Sequence, residues 1–150
     1  MIIAIDFDGT LVERQNLYSD KPLVLIPGVK DALYSLKRAG HTLILSSCRA
    51  NLSRRRDWRL DPLWVQDPHF NVAQWSRNRS IHEERWAQML NFVCTELKGV
   101  FDAIDSGVQG KPYAHLYIDD SSVKHHAHGV FNSMDWDQIA ESYGEQGDAQ

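Results

Sequence analysis

The chain has 150 residues, 43% of them hydrophobic and 24% charged, with a formal net charge of −4. That length suits one ordinary domain able to bury a core without staples, and the composition excludes a low-complexity or wholly disordered chain. The negative balance argues against a generally basic nucleic-acid module, and Cys48 and Cys94, the only 2 cysteines, lack the spacing of a disulfide framework or a cysteine zinc site.

No apolar run approaches the roughly 18–20 residues of a membrane helix. The start, Met1-Ile2-Ile3-Ala4-Ile5-Asp6, has neither the charged beginning nor the long apolar stretch of a secretory signal, so the chain is read as cytoplasmic. Residues 1–7 form a continuous apolar run, which predicts a strand covered on both faces in a parallel sheet. The run breaks at Asp8-Gly9-Thr10. After a polar stretch through Asp20, Pro27-Gly28-Val29 opens a helix with Val29, Leu33 and Leu36 on one face, stopped by Gly40. Residues 41–45 return to strand character. A second long helix is predicted over 80–98, where Trp86, Leu90, Val93 and Leu97 recur at helical spacing before Gly99. Residues 101–104 and 116–118 read as short strands, and 135–143 as a closing helix with Trp136 and Ile139 turned inward. The polar tail, 144–150, is expected to fray. Strands alternating with helices predict one α/β domain on a mainly parallel sheet, with function in the loops just past the strand C-termini.

Those loops carry the chemistry. The first strand ends in Asp6-Phe7-Asp8-Gly9-Thr10-Leu11. Two carboxylates two residues apart project to one side of a strand, and like charges so placed call for a divalent cation or an acid/base division of labour. The second strand ends in Ser46-Ser47-Cys48-Arg49, where a hydroxyl is placed to donate to an anion, although a serine there is more often a turn residue. The late strand is preceded by Lys111 and followed by Asp119-Asp120, hard oxygen donors suited to Mg²⁺. Alone, Lys111 would be a surface lysine and the acidic pair a solvated turn.

In this order, the DxDGT string, a serine after the second strand, a lysine before the late strand and Asp-Asp after it resemble the haloacid dehalogenase (HAD) superfamily of phosphohydrolases, in particular its small capless members. The resemblance covers roughly residues 1–120 and implies a Rossmann-like three-layer sandwich with no separate cap domain, 11–25 being too short for a helical cap. Carried over, it implies Asp6 as nucleophile and Asp8 as general acid/base. Thr10, Ser47, Arg49 and Lys111 would bind phosphate, with Ser46 the rival of Ser47. Asp6, Asp8, Asp119 and Asp120 would hold Mg²⁺. The implied activity is hydrolysis of a phosphate monoester through an aspartyl-phosphate.

The stretch 51–79 is longer than an ordinary connection and carries Arg54, Arg55, Arg56, Arg59, Arg77 and Arg79 with Trp58, Trp64 and Trp75. Arg54, Arg55, Arg56 and Trp58 are candidate contacts to a nucleotide or an oligonucleotide end; packed tryptophans and solvated arginines are the simpler explanation. His125, His126 and His128 lack the framework of a metal site, and Cys48 lacks an evident base. Two rival functions stand beside phosphatase activity. A phospho-accepting receiver domain uses similar groups but carries its acidic pair early, whereas here it comes last. A HAD-like protein that binds phosphorylated ligands or a partner without turnover is the other.

Overall fold

The computed structural model describes residues 1–16, 19–50, 72–107, 111–119 and 135–147. Four strands, β1 (Ile2–Ile5), β2 (Thr42–Leu45), β3 (Ala103–Ile104) and β4 (Leu116–Ile118), pair in the order β3-β2-β1-β4, every pairing parallel. The described helices are α1 (Val29–Arg38), α2 (Val72–Glu96) and α3 (Trp136–Tyr143), with a 3₁₀ turn over Cys48–Ala50. The fold is a small Rossmannoid three-layer α/β sandwich, and no separate cap domain is apparent among the described residues.

The sheet register explains the continuous apolar run of β1. Ile3, Ala4 and Ile5 stand opposite Leu43, Ile44 and Leu45 on one side and Leu116, Tyr117 and Ile118 on the other. Ile3, Ile5, Leu43, Leu45 and Ile118 share one face and join a single buried cluster with Val29, Leu33 and Leu36 of α1, Met89 and Val93 of α2, Leu97 just past its end, and Trp136 and Ile139 of α3. The two successive right-handed crossovers step in the same direction, which puts α1 and α2 on that face. On the opposite face Ala4 is only 2% exposed, so the central strand is covered on both sides.

Two elements differ from the sequence expectation. Helix α2 begins at Val72 rather than Ser80. Residues 72–79 have little apolar periodicity, but adding turns to an existing helix costs far less than nucleating one. Its buried stripe is Met89 and Val93, continued by Leu97 just past its end, with Trp86 and Leu90 half-buried. An apolar stripe more than about 100° wide leaves such one-residue rotations open in sequence. β3 is limited to Ala103–Ile104 because Asp102 turns its side chain back into the sheet edge. The Asp102 carboxylate accepts from Lys37 Nζ at 2.7 Å and from the Leu43 N–H at 2.8 Å. The Lys37 hydrogen bond, seconded by the Leu43 N–H, holds its pKa below the ordinary carboxylate value.

Gly144 and Glu145, just beyond α3, are bonded back to α3 and α1. The Gly144 N–H donates to the Ala140 carbonyl at 2.8 Å, and the Glu145 N–H donates to Ser35 Oγ at 2.9 Å. Arg38 Nε reaches Glu145 Oε2 at 2.7 Å. Gly144 has an ordinary φ of −73°, so space and not backbone geometry selects glycine. A Cβ there would collide with Ser35 Oγ and the Ala140 carbonyl. Gly144→Ala is therefore expected to destabilise the fold by about 1–3 kcal/mol, as overpacking does. A thermal melt indistinguishable from wild type would show that this joint yields.

Candidate active site

β1 lies where the winding of the sheet reverses: β2 and β3 follow on one side of it, and β4 is laid down on the other. In open α/β sheets the crevice beyond the strand C-termini at such a point is the usual ligand site. Asp6 directly follows Ile5 of β1, and Asp119 directly follows Ile118, its partner in register on β4. The Asp6 N–H donates to the Ile118 carbonyl at 2.9 Å, which carries the pairing one residue past the strand end. The switch point thus has one carboxylate-bearing residue on each side.

The residues after Asp6 form a tight loop. The Phe7 carbonyl accepts from the N–H groups of Thr10 at 3.2 Å and Leu11 at 2.9 Å, while the Gly9 N–H donates to the Val12 carbonyl at 2.8 Å. Gly9 has φ 76°, a left-handed conformation that costs a residue with a Cβ. Phe7 turns into the core and stacks edge-on against Phe92 of α2 at 6.0 Å. Trp136 Nε1 donates to the Thr10 carbonyl at 2.9 Å and fastens the loop to α3. Thr10, expected to bind phosphate, is 0% exposed, and its buried Oγ1 has no hydrogen-bond partner among the described residues.

Asp8 projects from the loop into a cluster of arginines. Arg49 Nε donates to Asp8 Oδ2 and Arg49 Nη2 to Asp8 Oδ1, both at 2.8 Å, a bidentate ion pair. Arg49 Nη1 donates to the Arg85 carbonyl at 3.0 Å, and its guanidinium lies 4.9 Å from the Phe7 ring centroid. The side chain is 3% exposed and Asp8 is 21% exposed. Arg49, expected to bind phosphate, thus gives an N–H from each of its three nitrogens to Asp8 or to α2. Arg85 sits beside the pair. Its Nη2 is 3.8 Å from Asp8 Oδ1, beyond hydrogen-bond reach, and its Nη1 donates to the Asn16 carbonyl at 2.9 Å. Burial first, and then the charge of Arg49, lower the Arg85 pKa from its ordinary value, with Asp8 pulling the other way.

The other expected residues surround this centre unevenly. Ser46 donates its N–H to the Ile5 carbonyl at 2.8 Å, next to Asp6. Ser47 Oγ accepts from the Arg49 N–H at 3.1 Å, leaving its hydroxyl proton without a protein acceptor among the described residues. Lys111 is exposed, with Nζ 4.0 Å from the ring centroid of Tyr117, two residues before Asp119. Cys48 is exposed. Asp120, Arg54, Arg55, Arg56, Trp58, His125, His126 and His128 lie outside the described residues.

For a divalent cation, the donor chemistry of Asp6 and Asp119 is suitable: hard carboxylate oxygens on adjacent strand ends, the kind Mg²⁺ takes together with water. Among the described residues no group of three or more His, Cys, Asp or Glu side chains forms a metal cage, and the remaining expected ligand, Asp120, is outside them. Two carboxylates with water completing the shell would fit Mg²⁺ better than a transition metal. No described helix is long and apolar enough to cross a membrane.

Sequence reasoning missed Arg85. It precedes the buried Met89 and Val93 by four and eight residues, so it falls on the core-facing stripe of α2. A cation interrupting an apolar stripe was the signal that could have found it. Comparison of the chain with protein-family models, with curated proteins and with solved structures found no match.

Proposed function

We propose that this protein is a HAD-type hydrolase of phosphate monoesters. The observation that carries the reading is the juxtaposition of Asp6 and Asp119 across the switch point, with the partly buried, salt-bridged Asp8 two residues further along the first loop. Asp6 attacks phosphorus in line with the ester oxygen; the new O–P bond forms as the P–O ester bond breaks, leaving an aspartyl-phosphate. Asp8 gives a proton to the departing oxygen and then takes one from the water that cleaves the intermediate to inorganic phosphate. To give that proton it must first take one up from water and release one of its two bonds from Arg49, because a carboxylate that accepts both carries none. Ser47 and Lys111 bind the non-reacting phosphate oxygens. Mg²⁺, when held by the Asp6 and Asp119 carboxylates with Asp120 and the Asp8 carbonyl as further ligands, supplies positive charge that offsets the repulsion between carboxylate and phosphate. The substrate is a phosphorylated small molecule or nucleotide, and an edge without a cap also admits the phosphate at an oligonucleotide end.

One observation favours a second reading. With both Asp8 oxygens held by Arg49, the same site would bind a phosphorylated ligand without turning it over. A phosphate-release assay with Mg²⁺, across sugar phosphates, nucleotides and phosphate-ended oligonucleotides, separates the two. Hydrolysis that a chelator stops is the expected result. Binding of the same compounds by calorimetry with no release from any of them would replace the enzyme with the binding protein.

A further inference from the structure

Two guanidinium groups converge on one carboxylate at Asp8, and they are not equivalent. Arg49 is the more engaged: its Nε and Nη2 bond Asp8, its Nη1 bonds the Arg85 carbonyl, and it lies over the Phe7 ring. Arg85 is enclosed almost as well, at 13% exposure, yet only its Nη1 has a hydrogen-bond acceptor among the described residues, the Asn16 carbonyl. Its Nη2 faces Asp8 from 3.8 Å without bonding it. Asp8 neutralises one cation, so the charge of Arg85 is left over, in a place where water is scarce and guanidinium donors want anionic oxygens. Burial and the Arg49 charge already disfavour the cation there, a penalty that an incoming anion would relieve.

The position of Arg85 says which anion. In the reaction proposed above, on which this inference rests, Asp8 faces the leaving oxygen of the ester. A group beside Asp8 is therefore on the leaving-group side, away from the phosphoryl oxygens assigned to Ser47 and Lys111. We propose that Arg85 is a specificity-determining residue that selects substrates carrying a second anionic group, a phosphate or carboxylate, within a few bonds of the ester oxygen that leaves. A guanidinium fork fits either group with paired N–H donors. The long reach of α2 places this selector on a rigid helix.

The test compares two esters in wild type, Arg85→Gln and Arg85→Lys: p-nitrophenyl phosphate, whose leaving group has no second charge, and a nucleoside 3′,5′-bisphosphate. Wild type is expected to favour the bisphosphate in kcat/KM. Arg85→Gln is expected to lose ~10–100-fold on the bisphosphate, the usual worth of a charged hydrogen bond, while staying within about 3-fold on p-nitrophenyl phosphate. Arg85→Lys, which keeps the charge without the fork, should recover part of the preference. Equal losses on both esters, or none, would overturn the role of Arg85 and leave the phosphatase reading standing. If wild type hydrolyses neither ester, that reading fails instead. Calorimetry with the bisphosphate and the matching monophosphate then decides the anion site: a weakening of the bisphosphate alone in Arg85→Gln supports it, and unchanged affinities reject it. Thermal midpoints of both variants exclude loss of fold as the cause.

Discussion

Asp6→Asn is expected to abolish Mg²⁺-dependent phosphate release, lowering kcat by at least ~10³-fold, while the far-UV circular dichroism and thermal midpoint stay close to wild type. The amide has the shape of the carboxylate but not its nucleophilic oxygen or its charge. Asp6 Oδ1 accepts from the Phe7 N–H at 2.8 Å, a bond that the asparagine oxygen can keep. The backbone link from Asp6 to the Ile118 carbonyl does not involve the side chain at all. Loss of activity with an intact fold is what the proposed roles of Asp6, as nucleophile and cation ligand, require. Turnover retained at the wild-type rate would remove Asp6 from that role.

Arg49→Met is expected to destabilise the fold by about 3 kcal/mol, the scale seen when one partner is removed from a buried ion pair. The substitution keeps an apolar stem over Phe7 but withdraws both N–H groups from Asp8 and the donor to the Arg85 carbonyl. Arg85 does not replace them from 3.8 Å. The double variant Arg49→Met, Asp8→Asn should cost less than the sum of the two single changes, because the carboxylate left without its hydrogen bonds is then gone. Urea denaturation of the four proteins measures the coupling. Additive losses would mean that the two side chains are solvated independently and that the loop is held by its backbone bonds and Trp136 alone.

The order of the elements was legible in sequence because each is governed by local regularities. Apolar residues at helical spacing with Gly40 and Gly99 as stops delimited the C-terminal ends of α1 and α2, and the unalternating run before Asp8 indicated a strand buried on both faces. The start of α2 was not legible, since residues 72–79 continue a helix without the apolar pattern that marks one. The acidic residues of the site were legible for a similar reason: Asp6 and Asp119 are each one residue beyond an apolar strand. Thr10 shows what position along the chain leaves out. The residue is where the motif expects it, but Trp136, 126 positions away, fastens the loop in which it is enclosed.

By itself the sequence determined an α/β chain with carboxylates and a serine just past the ends of parallel strands. Spacing along the chain sets which residues share a face or follow a strand, and that much needs no knowledge of neighbours. Only the tertiary structure decided who meets whom at Asp8. The loop after β1, the turn after β2 and the middle of α2 bring Asp8, Arg49 and Arg85 together from positions 41 and 36 residues apart. The identity of a charge's partner is a property of packed elements, and packing makes Arg49 the counter-ion of Asp8, with Arg85 beside it as a second cation.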